Sequence, residues 1–223
     1  GETQIEADKR AIDSQLISLK RQLEKIRKTR ELHRKSRAKV PFPIVALVGY
    51  TNAGKSTLFN ALTGAQEFSA NMLFATLDPK MRSINLDNDT KVILSDTVGF
   101  ISDLPTELIA AFRATLEEVL SANLIIHVRD ISHENTENQN VEVGKVLRSI
   151  GVSDNIPVLE IWNKIDLVET DIRKSFQNLT KRRKSICILS ATNGMGTCKL
   201  TKKIKNSLEP KKFSETLIVP FEF

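Results

Sequence analysis

The chain has 223 residues, 40% of them hydrophobic, with a formal net charge of +6 and two cysteines. That much apolar side chain argues against wholesale disorder, and no apolar run reaches the roughly 20 residues needed to span a bilayer. The opening GETQIEADKR is polar and lacks a secretory signal pattern, and Cys187 and Cys198 show no metal-ligand spacing; each cysteine reads as a small buried hydrophobe in a reducing cytoplasm.

In chain order, residues 2–39 contain neither glycine nor proline, and Ile5, Ile12, Leu16, Leu19, Leu23 and Ile26 recur at three- and four-residue spacing. This pattern predicts a long amphipathic helix whose apolar stripe needs a partner, including self-association through the stripe. Between Lys20 and Lys39 ten basic residues stand against only Glu24 and Glu31, so this window carries more positive charge than the whole chain. A focused basic stripe suits a polyanionic partner, or it is simply a solvated helix face. The PFP sequence at Pro41–Pro43 ends the helix, because proline cannot continue its hydrogen-bond ladder.

From Ile44 the pattern changes to short apolar runs alternating with amphipathic segments. Strands are expected at Ile44–Val48, Lys91–Leu94, Leu124–Val128, Val158–Trp162 and Ser185–Leu189. Helices are expected at Ser56–Thr63, Thr106–Ser121, Glu134–Ile150 and Asp171–Lys181. Met81–Leu86 should pair back on Lys91–Leu94 through the turn DND. The expected fold is therefore α/β, a mostly parallel twisted sheet flanked by helices and preceded by the long helix. The expected domains are a helix over 1–40, the α/β domain over 41–210 and the start of another segment over 211–223.

VALVGYTNAGKST places Gly49, Gly54, Lys55 and Ser56 in the G-x-x-x-x-G-K-[ST] spacing, between a predicted strand and a helix. Such a loop turns backbone amides onto phosphate oxygens, with the lysine reaching the β- and γ-phosphates and the serine hydroxyl ligating Mg²⁺. NKID, Asn163 to Asp166, follows a strand and lies at the edge of the sheet where ligands of open α/β folds bind. A carboxylate at Asp166 can accept from guanine N1–H and the exocyclic amine, donors that adenine lacks. SAT, Ser190 to Thr192, can add a backbone amide for guanine O6. In DTVGF, Asp96 would hold Mg²⁺ through a water and the Gly99 amide would face the γ-phosphate. Between loop and turn, MLFATLDP has no helical period, and its Thr76 is the expected switch hydroxyl on Mg²⁺; Thr63 is the rival.

Together GYTNAGKST, FATLDP, DTVGF, NKID and SAT resemble the five guanine-nucleotide motifs of translation-factor-related P-loop GTPases. With GETQIEADKR and LPTELIAAFRATLEE, the spellings resemble the HflX family of ribosome-associated GTPases over essentially the whole chain. The resemblance implies a GTPase, slow on its own, that binds GTP or GDP with Mg²⁺. It assigns Gly49, Tyr50, Thr51, Asn52, Ala53, Gly54, Lys55, Ser56 and Thr57 to the phosphates. Phe74, Ala75, Thr76, Leu77 and Asp78 form the first switch, and Asp96, Thr97, Val98 and Gly99 sense the γ-phosphate. Asn163, Lys164, Ile165 and Asp166, with Ser190, Ala191 and Thr192, take the base. It also implies the large ribosomal subunit as partner, a role in ribosome splitting or rescue under stress, and a cytoplasmic protein, peripheral at most to a membrane. DNA specificity is not expected. Family members carry a further N-terminal domain, so the chain is expected to be a fragment without it.

Hydrolytic switches often place a water-orienting glutamine after the DTVG glycine, whereas this chain has Phe100. Catalysis is then expected from Lys55, Thr76 and Gly99, and the resemblance implies a K⁺ ion held by Asn52, at the position where related GTPases use asparagine for this, sitting where an arginine finger would act. Arg82 and Arg113 are the internal arginines nearest in sequence, and Arg129 stands where the family more often has an apolar residue. Two rivals remain: a GTP-dependent RNA-binding module with negligible hydrolysis, and an ATP-dependent RNA remodeller.

Overall fold

A computed structural model describes residues 21, 42–65, 80–87, 90–97, 99–100, 119–183 and 185–209. The chain divides into two compact units, Gly1–Pro41 and Phe42–Phe223. Of the first, only Arg21 is described, helical and exposed. The long amphipathic helix and most of its basic stripe, like the segment 211–223, lie outside the described residues.

In the second unit, β1 (Ile44–Val48) leads to α1 (Lys55–Thr63), followed by β2 (Lys80–Asn85), β3 (Lys91–Asp96) and β4 (Leu124–Asp130). Then come α2 (Thr136–Ser149), β5 (Val158–Asn163), a 3-10 turn (Ile165–Leu167), α3 (Thr170–Arg182), β6 (Ile186–Ile188) and α4 (Thr197–Leu208). The six strands run β2-β3-β1-β4-β5-β6 across one sheet. Only β2 is antiparallel, to β3, as the DND hairpin predicts; β3, β1, β4, β5 and β6 run parallel.

Helices cover both faces, which explains why the central strands are continuous apolar runs rather than alternating ones. Within IVALV, Val45 and Leu47 join Leu58 and Phe59 of α1 and Leu200 and Ile204 of α4 in one core cluster. The intervening Ala46 and Val48 join Phe100, Ile125 and Val143 of α2 in another. Each fully buried aliphatic side chain contributes about 1.5–3 kcal/mol of transfer free energy. A smaller cluster sets Trp162, Ile165 and Ile186 against Phe176 of α3, with Trp162 and Phe176 edge to face at 4.9 Å.

The sequence pattern misses one element. α4 carries its buried Leu200 and Ile204 a single turn apart between lysines, too narrow a stripe to stand out in the sequence. Its start is marked by Gly196, left-handed at φ 86. β3, β4 and β5 each run one or two residues beyond the expected end, to Asp96, Asp130 and Asn163. These are polar residues that alternation does not count as strand, and sheet pairing recruits them. Of the expected helix Thr106–Ser121 only residues 119–121 are described; 119 and 120 are helical and Ser121 is already a turn. Cys187 is buried as expected, but Cys198 is exposed, because it lies on α4 away from Leu200 and Ile204.

Candidate nucleotide site

The carboxyl ends of β1, β3, β4 and β5 bring the motifs together. After Val48 the chain turns through Gly49–Gly54 and enters α1. Gly54 is left-handed at φ 92, and a Cβ there would lie 2.2 Å from Asn163 Nδ2, so the residue must be glycine for both backbone and space. No side chain caps α1 and its own first turn carries no acidic residue, so the amides at this end are not taken by a cap and the helix dipole favours an anion there.

Lys55, the first residue of α1, is buried, and its Nζ donates to the Tyr50 carbonyl at 2.9 Å. Burial lowers its pKa from 10.5 to about 8, against the pull of Asp96, which raises it. The ammonium is thus held inside the loop with its charge poorly solvated, a state that a polyanion would relieve. Gly99 closes over it: a Cβ at Gly99 would lie 2.9 Å from Lys55 Nζ and 2.9 Å from Thr51 Cγ2. Beside it, Ser56 Oγ donates to Asp96 Oδ2 at 2.7 Å. Thr97 is buried, with its hydroxyl donating to the Leu47 carbonyl at 2.6 Å, so it braces β1 rather than facing the loop.

Phe100 is stitched to the same loop. Its amide donates to the Gly49 carbonyl at 3.1 Å and its carbonyl accepts from the Thr51 amide at 2.7 Å. The ring is 1% exposed and packs in the cluster with Ala46 and Val48. An apolar residue here therefore anchors the DTVGF turn from below through packing. Asn52 is exposed and left-handed at φ 59, a backbone state that asparagine tolerates far better than most residues. Loop geometry alone is thus a sufficient reason for asparagine at this position. Arg82 is exposed on β2, the edge strand of the sheet.

Asn163 ends β5 and joins the two halves of the site. Its Nδ2 donates to the Ala53 carbonyl at 2.8 Å and its Oδ1 accepts from the Ala191 amide at 3.0 Å. One buried side chain thus links the phosphate loop, NKID and SAT. Lys164 follows at φ 60, and the Ile165 amide reaches the Leu189 carbonyl at 3.4 Å. Asp166 is exposed, and its carbonyl accepts from Arg173 Nη2 at 3.2 Å. The Ser190 amide is used by the Met195 carbonyl at 2.9 Å, leaving exposed Thr192 as the outermost residue of the SAT tripeptide.

Phe74, Ala75, Thr76, Leu77, Asp78 and Val98 lie outside the described residues. Two residues at the site escape sequence reasoning: Asp130 acts on Lys164 from a different strand, and Arg173 of α3 folds back on the carbonyls of Asp166 and Val168 just before its own helix. Asp130 Oδ2 pairs with Lys164 Nζ at 2.7 Å. Among the described residues no group of three His, Cys, Asp or Glu could hold a metal ion. A magnesium ion completed by phosphate oxygens needs no such group, and the adjacent Ser56 and Asp96 oxygens are the hard donors it prefers.

Residues 44–164 match the family model described as 50S ribosome-binding GTPase. The chain belongs to this family. Its resemblance to the HflX GTPases also holds: it is 43% identical to a GTPase HflX of Magnetococcus marinus over 99% of this chain and 50% of that protein. To the GTPase HflX of Escherichia coli it is 40% identical, over 99% of this chain and 51% of that protein. The chain spans about half the length of the curated relatives it matches. A solved GTP-binding protein from Sulfolobus solfataricus in complex with GDP is 30% identical, with a TM-score of 0.61, over 89% of this chain and 60% of that one. The α/β fold and the GTPase class expected from the motifs stand with the family. Among the described residues no helix is long and apolar enough to cross a membrane.

Proposed function

We propose that the chain binds GTP and GDP with Mg²⁺ at the Gly49–Thr57 loop, hydrolyses GTP, and uses the nucleotide state to control binding to the large ribosomal subunit in the cytoplasm. The observation that carries this reading is the Asn163 side chain, which ties the phosphate loop at Ala53 to the NKID and SAT segments. A triphosphate at Lys55 and a base at Asp166 then belong to one ligand. In this reading Lys55 neutralises the β- and γ-phosphates, the Ser56 hydroxyl and the Asp96 carboxylate hold Mg²⁺, and the Gly99 amide meets the γ-phosphate. Mg²⁺ supplies charge neutralisation on the phosphate oxygens. Asp166 takes the guanine edge; Thr76 as switch ligand, Asn52 as K⁺ ligand and a part in ribosome splitting belong to the same proposal, as does the domain division at 1–40, 41–210 and 211–223.

The test is GTP turnover by this chain, titrated with purified large subunits and repeated with ATP in competition. Rate stimulation by the subunits and a GTP preference lost in Asp166→Ala are expected. Preference for ATP, or turnover indifferent to the subunits, counts against the reading. A binding module without hydrolysis is favoured by one observation, the Phe100 ring buried below the turn, where it cannot orient a water. Single-turnover assays separate the two, since bound GTP that never becomes GDP is the signature of the module.

A further inference from the structure

Asp130, the last residue of β4, has no part in the assigned motifs. It is 9% exposed, and its two oxygens do different work. Oδ1 accepts from the Ser132 amide at 3.0 Å and from the Ser132 hydroxyl at 2.6 Å. Oδ2 holds Lys164 Nζ at 2.7 Å. One residue on, the Ile131 amide donates to the Asn163 carbonyl at 3.1 Å. A main-chain hydrogen bond and an ion pair thus fasten the end of β4 to Asn163 and Lys164.

The significance lies two residues further along, at Asp166. A carboxylate that is to receive a guanine edge must not be claimed by a protein cation. Lys164 is the cation nearest to it in sequence, on a four-carbon stem that can swing widely. Asp130 holds that ammonium elsewhere. Arg173, the other cation at this loop, spends Nη2 on the carbonyls of Asp166 at 3.2 Å and Val168 at 3.1 Å, not on the carboxylate. Among the described residues the Asp166 carboxylate enters no ion pair.

We propose that Asp130 is a positioning residue for guanine specificity: by sequestering the Lys164 ammonium it fixes the left-handed NKID turn and keeps the Asp166 carboxylate free for the base. This rests on the guanine reading of Asp166 above. Without Asp130, Lys164 folds onto Asp166 and competes with the guanine donors.

The measurement is the ratio of affinities of the chain for GDP and for inosine diphosphate, which lacks the exocyclic amine, read with fluorescent analogues of both. For the unaltered chain GDP should win by roughly tenfold, the value of one charge-assisted hydrogen bond. In Asp130→Asn, an isostere that keeps the acceptor for Ser132, the ratio should collapse to within about threefold. Adding Lys164→Met should restore the ratio, because the competing cation is then gone, while the absolute affinities for both nucleotides fall together, since Lys164 belongs to the base-binding segment; a purely structural role for Asp130 predicts no recovery of the ratio. An unchanged ratio in Asp130→Asn, or no recovery in the double variant, overturns the proposal while leaving the guanine reading intact. A ratio near one in the unaltered chain sinks both. Circular dichroism checks that each variant folds, and Asp130→Ser substitutes for the amide, with the same ratios expected, if the amide variant does not.

Discussion

Lys55 shows how a single side chain carries a cost in the folded protein that its proposed role would offset. Its buried ammonium is a charge in a poorly solvating place, and the folded pKa near 8 lies below the ordinary 10.5. Because the unfolded chain binds this proton more tightly, the group opposes folding fully below pH 8, and the penalty fades as pH rises from about 8 to 10.5. Lys55→Met should therefore leave the melting temperature of the nucleotide-free protein at pH 7 equal or higher, while abolishing the thermal shift produced by magnesium and GDP. A variant that melts lower and still shifts with GDP would contradict the assignment. His127 on β4 behaves similarly on the acid side. Burial lowers its pKa from 6.5 to about 4, partly offset by Glu160, with Arg129 and Lys55 lowering it further. The neutral ring contributes stability above pH 6.5 that is lost as pH falls toward 4, on the order of 3 kcal/mol. Unfolding by denaturant across that window should show the slope, and His127→Gln should flatten it.

At the scale of elements, β4 and β5 are the frame that carries the NKID segment. Arg129, 5% exposed, donates to Glu160 of β5 and to Glu137 of α2, the latter at 2.6 Å, and Trp162 Nε1 shares the Glu160 carboxylate at 2.6 Å. The departure from an apolar residue at 129 is thus matched by partners on two other elements, which is what makes a buried guanidinium tolerable. The hydrogen bond holds the Glu137 carboxyl below the usual range. Asn163 is the joint between this frame and the phosphate loop. Asn163→Ala leaves a buried carbonyl and a buried amide without their partners, which should cost roughly 2–4 kcal/mol. The same variant should weaken GDP binding even at temperatures where it is fully folded; calorimetry on the folded variant reads this directly, and unchanged affinity would show that the two halves are not coupled through this side chain.

At the scale of the molecule, the sheet order sets the site. β1 lies between β3 and β4, so the chain runs from β1 to one side and then, after β3, crosses to the other, and the crevice above that switch is where α/β folds hold ligands. Hydrolysis there still needs a positive charge beside the transferred phosphate. Turnover in matched Na⁺ and K⁺ buffers reads the Asn52 proposal: K⁺ should raise the rate several-fold, and equal rates would leave Asn52 to its left-handed turn alone.

The sequence by itself determined the succession of elements and the chemistry on offer, because apolar period, proline and glycine punctuation, and phosphate-loop spacing are all local signals. It placed Gly49 to Ser56 between a strand and a helix, and NKID at a strand end, for that reason. Only the tertiary structure decided which of these residues meet. That Asn163 reaches Ala53, that Asp130 restrains Lys164, that Phe100 packs below its turn and that Arg129 pairs with Glu160 are contacts between residues more than 30 positions apart in the chain. The narrow stripe of α4 was hidden for the same physical reason: two buried side chains are enough when a sheet is already there to receive them.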